Sequence, residues 1–332
     1  MGSTHDKRRV LLAGASGYIG RHVAMTLVRR GYEVIAVLRP GGEAESSAGS
    51  LESALSGCEL RVAPVTDADA LTGALADMRF DAVISCLASR SGAPDDAWAV
   101  DYVANHNLLA AAQYVGASRF VLLSAICVQR PKLAFQHAKL AFEQELRASN
   151  IDHGIVRPTA FFKSLAGQID RVRAGKPFLV FGDGVSTACK PIAESDLADY
   201  LVDVLEDPAM RNRVLPIGGP GDAITPREQG EMLCRLAGQP VRIRRVSPRV
   251  FDLAVGVLAP LSRVLPGLAA KAEFARIGRY YATESMLLWN EQIGAYDADA
   301  TPSYGEQTLS DFYARVLREG AAGQELGAHK LF

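Results

Sequence analysis

The sequence predicts an α/β fold, a doubly wound parallel sheet with a smaller C-terminal lobe. Three observations predict it. Short apolar runs alternate with helical segments through the first 160 residues. The runs are nearly unbroken in Val, Ile, Leu and Ala, as strands covered on both faces require. A glycine-rich turn joins the first run to the first helix.

Residues 10–13 form the first strand. Residues 21–30 are helical, with Val23, Leu27 and Val28 on one side and Gly31 as the stop. Residues 33–38 are the second strand, and 40–57 form a loop with a short helix. Strand three is 60–65, followed by a helix at 68–78. Strand four is 82–86, with a helix at 103–115. Strand five is 120–124, with a helix at 134–148, and strand six is 154–157. Beyond Pro158 the alternation weakens. Turn residues fill 175–184, helices are expected at 194–205 and 226–236, and a strand at 241–246. The expected division is a cofactor domain at 1–160 and a substrate lobe at 161–332, with some segments returning to the sheet.

Of the 332 residues, 48% are hydrophobic and 22% charged, an ordinary globular composition. A net charge of −1 supplies no field for nucleic acid. The five cysteines include no CxxC pair, which argues against a zinc ribbon or an iron–sulfur cluster. No metal site is expected. The polar N-terminus lacks the apolar core of a signal peptide, so a cytoplasmic protein is expected. Residues 250–268 are the most apolar late stretch, but Asp252, Arg263 and two prolines interrupt them. That is a poor membrane span and leaves peripheral contact as an expectation.

Gly14-Ala15-Ser16-Gly17-Tyr18-Ile19-Gly20 lies between a strand and a helix, with a second strand at the right distance. That context turns a weak glycine pattern into the dinucleotide signature of a Rossmann sheet. Gly14 permits the tight turn, Gly17 lets backbone approach the pyrophosphate, and Gly20 lets the helix pack on the strand. Ser16, Tyr18 and Ile19 open the helix whose N-terminus faces the phosphates. An NAD site usually has an acid at the end of the second strand, and this strand ends Val37-Leu38-Arg39. Arg39 suits a 2′-phosphate, so the expected cofactor is NADPH. Asp67 either meets the adenine or caps the helix it precedes. Leu87 and Ala88, at the end of strand four, are assigned to the same crevice.

The glycine spacing resembles the extended and atypical branch of the short-chain dehydrogenase/reductase superfamily, its NmrA-like and isoflavone-reductase-like members included. Ser124 falls where that superfamily keeps an active-site serine. Its Tyr-x-x-x-Lys helix is here Phe135-Gln136-His137-Ala138-Lys139, with the lysine and without the tyrosine. Residues 123–131, 135–143, 156–163, 181–184, 188–192, 282–289 and 296–303 look closely like the NADPH-dependent divinyl chlorophyllide 8-vinyl reductases. That resemblance runs from about residue 8 to about 305 and implies reduction of an 8-vinyl group on a magnesium tetrapyrrole. The short N-terminus suggests a bacterial, not a plastid-targeted, member, cytoplasmic and peripheral to a photosynthetic membrane at most.

The chemistry fits the missing tyrosine. In carbonyl reduction a tyrosine donates to an oxygen that becomes anionic, and a vinyl group has no oxygen. Such a site needs a nicotinamide, an apolar slot and a proton source. Lys139 is assigned to the nicotinamide ribose with a relay role; direct proton donation is the other reading. Ser124 holds the ribose or a water, or simply caps a strand end. His137 is a magnesium ligand, an acid, or a solvent-facing helix residue. Pro158, Thr159 and Phe161 are expected to pass the nicotinamide. Cys127, Phe135, Gln136, Phe162, Tyr281 and Met286 are expected at the pigment, although several would serve equally as core. Two other functions compete. One is a non-catalytic NADPH-binding sensor or assembly protein. The other is a reductase of a different flat aromatic compound.

Overall fold

The computed structural model describes residues 8–41, 48–262, 265 and 267–319. A seven-stranded sheet organises the chain, in the order β3-β2-β1-β4-β5-β6-β8 with every pairing parallel. The strands are β1 (Arg9–Ala13), β2 (Glu33–Leu38), β3 (Cys58–Val62), β4 (Ala82–Ser85), β5 (Arg119–Leu123), β6 (Asp152–Pro158) and β8 (Arg213–Ile217). β7 (Phe178–Phe181) pairs with β9 (Ile243–Val246), and β10 (Leu288–Asn290) with β11 (Ala295–Asp297), outside that sheet. The order reverses between β1 and β4, and the carboxyl ends of these two strands flank the crevice where such sheets bind ligands.

Helices cover both faces. On one side α1 (Tyr18–Arg29), α2 (Ala48–Ala54) and α8 (Glu194–Glu206) sit on the sheet. Val23, Leu27, Leu197 and Leu201 join Leu12, Ile84 and Val156 in one core there. The opposite face holds α3 (Ala68–Leu75), α5 (Asn105–Tyr114) and α6 (Ala134–Ala148), with Leu71, Leu108 and Phe142 against Leu11, Val83 and Phe120. β4 and β5 are buried along their whole length, which explains their unbroken apolar sequences. A third core, around Phe162, Phe178, Leu233 and Phe312, unites α7 (Ile169–Arg173), α9 (Pro226–Leu236) and α12 (Leu309–Glu319). The hairpin of α10 (Arg249–Leu261) and α11 (Gly267–Tyr281) completes the lobe.

The structure adds α10, α11, β10, β11 and α12 beyond the last expected element, and it departs from the sequence expectation at four earlier ones. β3 runs at 58–62 instead of 60–65, because an edge strand with exposed Glu59 and Leu60 has no unbroken apolar run to mark it. β8 was not expected, since Pro216 argues against a strand; it is tolerated because β8 pairs only with β6. β7 forms where turn residues were read, and closes its pairing with β9. The helix expected at 103–115 starts instead at α4 (Pro94–Ala97), with proline in its first turn. A π-helical stretch, Trp98–Ala104, then links α4 to α5. Within the apolar stretch at 250–268, Arg263, Val264 and Pro266 lie outside the described residues.

Candidate active site

The glycine turn is built as dinucleotide binding requires. Gly14 has φ +81°, and a Cβ there would stand 2.7 Å from the Cys86 carbonyl and 3.0 Å from the Leu87 nitrogen. The chain at 86–88, which includes Leu87 and Ala88, therefore crosses directly over the turn. A Cβ on Gly20 would lie 2.1 Å from the Gly14 carbonyl oxygen, so only glycine lets α1 approach β1. The Gly17 nitrogen donates to the Gly14 carbonyl at 2.9 Å. Gly17 is also the N-cap of α1, and no side chain caps that end. Its N–H groups and dipole are left for an anion, and the turn fits a pyrophosphate. Ser16 contributes its carbonyl to Arg21 at 3.1 Å, and Ile19 is buried beneath the turn. The Tyr18 ring lies under the Lys163 ammonium at 4.6 Å, which ties the glycine turn to the segment after β6.

Arg39 is exposed at the end of β2. Asp67 caps α3, accepting from the Ala70 nitrogen at 3.0 Å.

α6 carries the lysine. Gln136, Lys139 and Glu143 fall on its buried side at helical spacing, and His137 is exposed. Lys139 Nζ lies 2.9 Å from Asp101 Oδ1, and both residues are buried. Asp101 comes from the π-helical stretch, and its Oδ1 also accepts from the Ser89 nitrogen at 3.3 Å. Its Oδ2 is buried with no hydrogen-bond partner among the described residues. One of the three ammonium donors of Lys139 is thus committed, and two remain for ribose hydroxyls or water. Four residues along α6, Glu143 accepts from Ser124 Oγ and from Arg157 Nε, the latter at 3.1 Å. Ser124 can then only accept a bond from a ligand.

Beyond the ends of β5 and β6 lies a cavity of about 220 Å³. Ala125, Cys127, Pro158, Thr159 and Phe161 line it together with Tyr281, Met286 and Glu284, and Lys139 and Ser124 do not. Burial pushes the Cys127 thiol up, though Gln136 and Tyr281 offset part of this, so it stays protonated. Burial, then Cys127, raises the Tyr281 phenol. The Thr159 hydroxyl donates to the Lys190 carbonyl, which fixes the cavity wall at the end of β6.

Three expected pigment contacts, Gln136, Phe162 and Phe135, do not line the cavity. The Gln136 side chain is fully buried: its oxygen accepts from the Lys132 and Leu133 nitrogens and its amide donates to the Cys127 carbonyl. It closes the N-terminus of α6 and has no donor directed to a ligand. Phe162 is 1% exposed, packed on Phe312 at 5.4 Å in the lobe's own core. Phe135 is half-buried, in the cluster behind Cys127 and Met286, and does not line the cavity. The sequence reading missed Asp101 and Glu143. An acid in a helix of unremarkable pattern carries no local signal, and the π-helical offset that turns Asp101 toward Lys139 is invisible in the sequence.

Comparison with known proteins agrees with this geometry. The family described as NAD(P)H-binding matches residues 14–208. The divinyl chlorophyllide a 8-vinyl-reductase of Oryza sativa subsp. indica is 50% identical over 331 residues, covering 97% of this chain and 82% of the rice protein. The enzyme of the same name from Arabidopsis thaliana is 47% identical, over 96% of this chain and 79% of its own. Among solved structures, a putative epimerase from Burkholderia cenocepacia aligns with a TM-score of 0.67, over 95% of this chain and 99% of its own, at 20% identity. That likeness shows the fold. With half of its residues shared over nearly its whole length, the chain belongs to the divinyl chlorophyllide a 8-vinyl-reductase family.

Proposed function

We propose that this chain reduces the 8-vinyl group of 3,8-divinyl chlorophyllide a to ethyl with hydride from NADPH, in chlorophyll or bacteriochlorophyll biosynthesis. The observation that carries this is the half-identity to the named reductases over nearly the full chain. The site supports it. An apolar cavity opens beyond the ends of β5 and β6, and Phe135 stands where a carbonyl reductase would keep its tyrosine.

NADPH, when bound, supplies the hydride. Gly14, Gly17 and Gly20 admit the pyrophosphate, and Arg39 pairs with the 2′-phosphate through its planar fork. Leu87, Ala88 and one face of Asp67 border the adenosine half. Lys139 holds the nicotinamide ribose, and Asp101 keeps its ammonium in place. Pro158, Thr159 and Phe161 set the end of the cavity where the vinyl group lies. Lys139 also feeds a proton, directly or through water, toward the vinyl carbon adjoining the macrocycle. Residues 1–160 hold the cofactor and 161–332 mainly the pigment, with α8 and β8 returning to the sheet.

Among the described residues no helix is long and apolar enough to cross a membrane. Contact with a photosynthetic membrane is then peripheral. α10 exposes Val250, Leu253, Val257 and Leu261; its first residue, Arg249, is exposed too, as are Arg242, Arg244 and Arg245 just before it. An apolar helix face beside clustered arginines suits an anionic lipid surface.

The test is anaerobic incubation of the protein with NADPH and divinyl chlorophyllide. A blue shift of the Soret band with oxidation of one NADPH per pigment is expected. NADPH binding without turnover would favour a sensor or assembly role, and turnover only with other flat aromatics would overturn the pigment assignment.

A further inference from the structure

A second hollow opens beside the cavity, about 530 Å³ in volume. Thr187, Ala188 and Glu284 line both, so the two spaces adjoin. They differ in chemistry. The cavity is lined mainly by apolar groups, among them Ala125, Cys127, Pro158 and Phe161, whereas the hollow holds a charged cluster. The Arg130 guanidinium lies 4.1 Å over the Trp289 ring and 3.5 Å from Glu284 Oε2. Lys132 also pairs with Glu284, and Tyr296 donates to it at 2.6 Å. Burial alone would raise the Glu284 carboxyl, but the bonds from Lys132 and Tyr296 and the charges of Lys132 and Arg130 hold it below the usual carboxylate range. One carboxylate thus balances two cations, and the cluster keeps an excess positive charge. Asp183, near the hollow's rim, accepts from the Val185 and Ser186 nitrogens, both at 2.9 Å, and has Arg245 beside it.

A cavity of about 220 Å³ is smaller than the roughly 300–1,000 Å³ of ordinary small-molecule sites, and a whole tetrapyrrole does not fit within it. The macrocycle must extend past it, and the far end leads to the hollow. A chlorophyllide carries its vinyl group and its free propionate on opposite rings. With the vinyl at the cofactor end, the propionate faces Thr187, Ala188 and Glu284.

We propose that Arg130, stacked on Trp289 and anchored by Glu284, is the site for the propionate carboxylate of the pigment. This rests on the vinyl-reductase reading and deepens it: the chain distinguishes free-acid pigments from esterified ones. Arg130 is suited to the task because its stem is held flat on the indole and only one guanidinium nitrogen is engaged by Glu284, at long range. Lys132 adds field and no directed bond. Thr283, Glu284, Ser285, Leu287 and Trp289 line the hollow, and they lie in one of the segments that resemble the reductases in sequence.

The experiment compares divinyl chlorophyllide a with its methyl ester, in the wild type and in Arg130→Met and Arg130→Lys. The wild type should show a KM about tenfold or more lower for the acid, as a lost hydrogen bond to a charged group predicts. Arg130→Met should raise the KM for the acid about tenfold or more and so abolish the preference for acid over ester, with a much smaller effect on the ester. Arg130→Lys should recover part of the preference. Equal KM values for acid and ester in the wild type would overturn the proposal. So would a parallel rise for both pigments in Arg130→Met. Failure of the wild type to reduce either pigment would instead overturn the vinyl-reductase reading. Quenching of tryptophan fluorescence by the two pigments without NADPH would then still decide the carboxylate site, by the same order of affinities.

Discussion

α8 and α10 are both thirteen-residue helices of the second half of the chain, and they are used in opposite ways. α8 buries Leu197, Leu201, Val202, Val204 and Leu205 against α1 and the main sheet. α10 is the more apolar in sequence, VFDLAVGVLAPL after Arg249, yet none of its residues is buried. It lies along α11: Phe251 packs on Phe181 with ring centres 5.0 Å apart and crowds Gly278 of α11, and Asp252 pairs with Arg279 at 3.0 Å. The lesson is that apolar residues in this chain have two explanations. Those of α8 are accounted for by folding. Those of α10 stay exposed or half-buried, and a lipid surface is the partner proposed for them.

The first way to break that comparison is to damage the sheet side. Asp101→Ala leaves the Lys139 ammonium buried without its partner, and should cost about 3–5 kcal/mol of stability, read from urea unfolding. Asp101→Asn should restore part of it. Leu201→Ala removes a fully buried side chain and should cost about 2–5 kcal/mol by the same measurement. If either variant unfolds like the wild type, the sheet side is less closely packed than it looks.

A smaller effect belongs to the cofactor edge. Arg39→Ala should weaken NADPH by on the order of 1.5–3 kcal/mol and leave NADH nearly unchanged, measured by fluorescence titration. Equal losses would remove Arg39 from the 2′-phosphate.

Smaller again is a pH effect. His153 sits in β6, and burial lowers its pKa below 6.5, with Arg147 and Arg119 adding to the shift against Asp152 and the Ile151 carbonyl. The folded state therefore holds the ring neutral while the unfolded chain takes up a proton near pH 6.5. The stability this contributes is complete above that pH and is lost as pH falls through the lower, folded pKa. His153→Gln should flatten the stability profile in that window; an unchanged slope would assign it elsewhere.

The smallest change in stability should come from α10. Leu253→Ser with Val257→Ser alters two exposed residues and should shift unfolding by no more than about 0.5 kcal/mol each. The same variant should lose most of its flotation with phosphatidylglycerol vesicles. Unchanged flotation would leave the apolar face of α10 without its lipid partner.

How far these features were legible follows from where their causes lie. β1, β2, β4 and β5 are written locally, because burial on both faces leaves only apolar choices. The glycines at 14, 17 and 20 are legible for the same reason: each position is closed to a side chain or must admit a ligand. Lys139 could be found because its register with Phe135 is a sequence fact. Asp101 could not, since its meeting with Lys139 depends on a helical offset and on two helices lying side by side. β8 was hidden by Pro216, whose tolerance depends on the edge position. Arg130 was hidden because its partners, Glu284, Trp289 and Tyr296, lie more than a hundred residues away in sequence.

The place of β8 has a further consequence, in time instead of space. Its neighbour β6 ends at Pro158, but β8 spans Arg213–Ile217, and β7 and α8 are made between them. A ribosome adds about 5–20 residues per second, so the outer edge of β6 stays without its partner for seconds after β6 emerges. In that interval the nascent sheet presents His153, Ile155 and Val156 on an open parallel edge, the kind of surface that invites pairing with another chain. Expression of this enzyme should therefore depend more on chaperones that meet it during synthesis than the packing of its finished core would suggest.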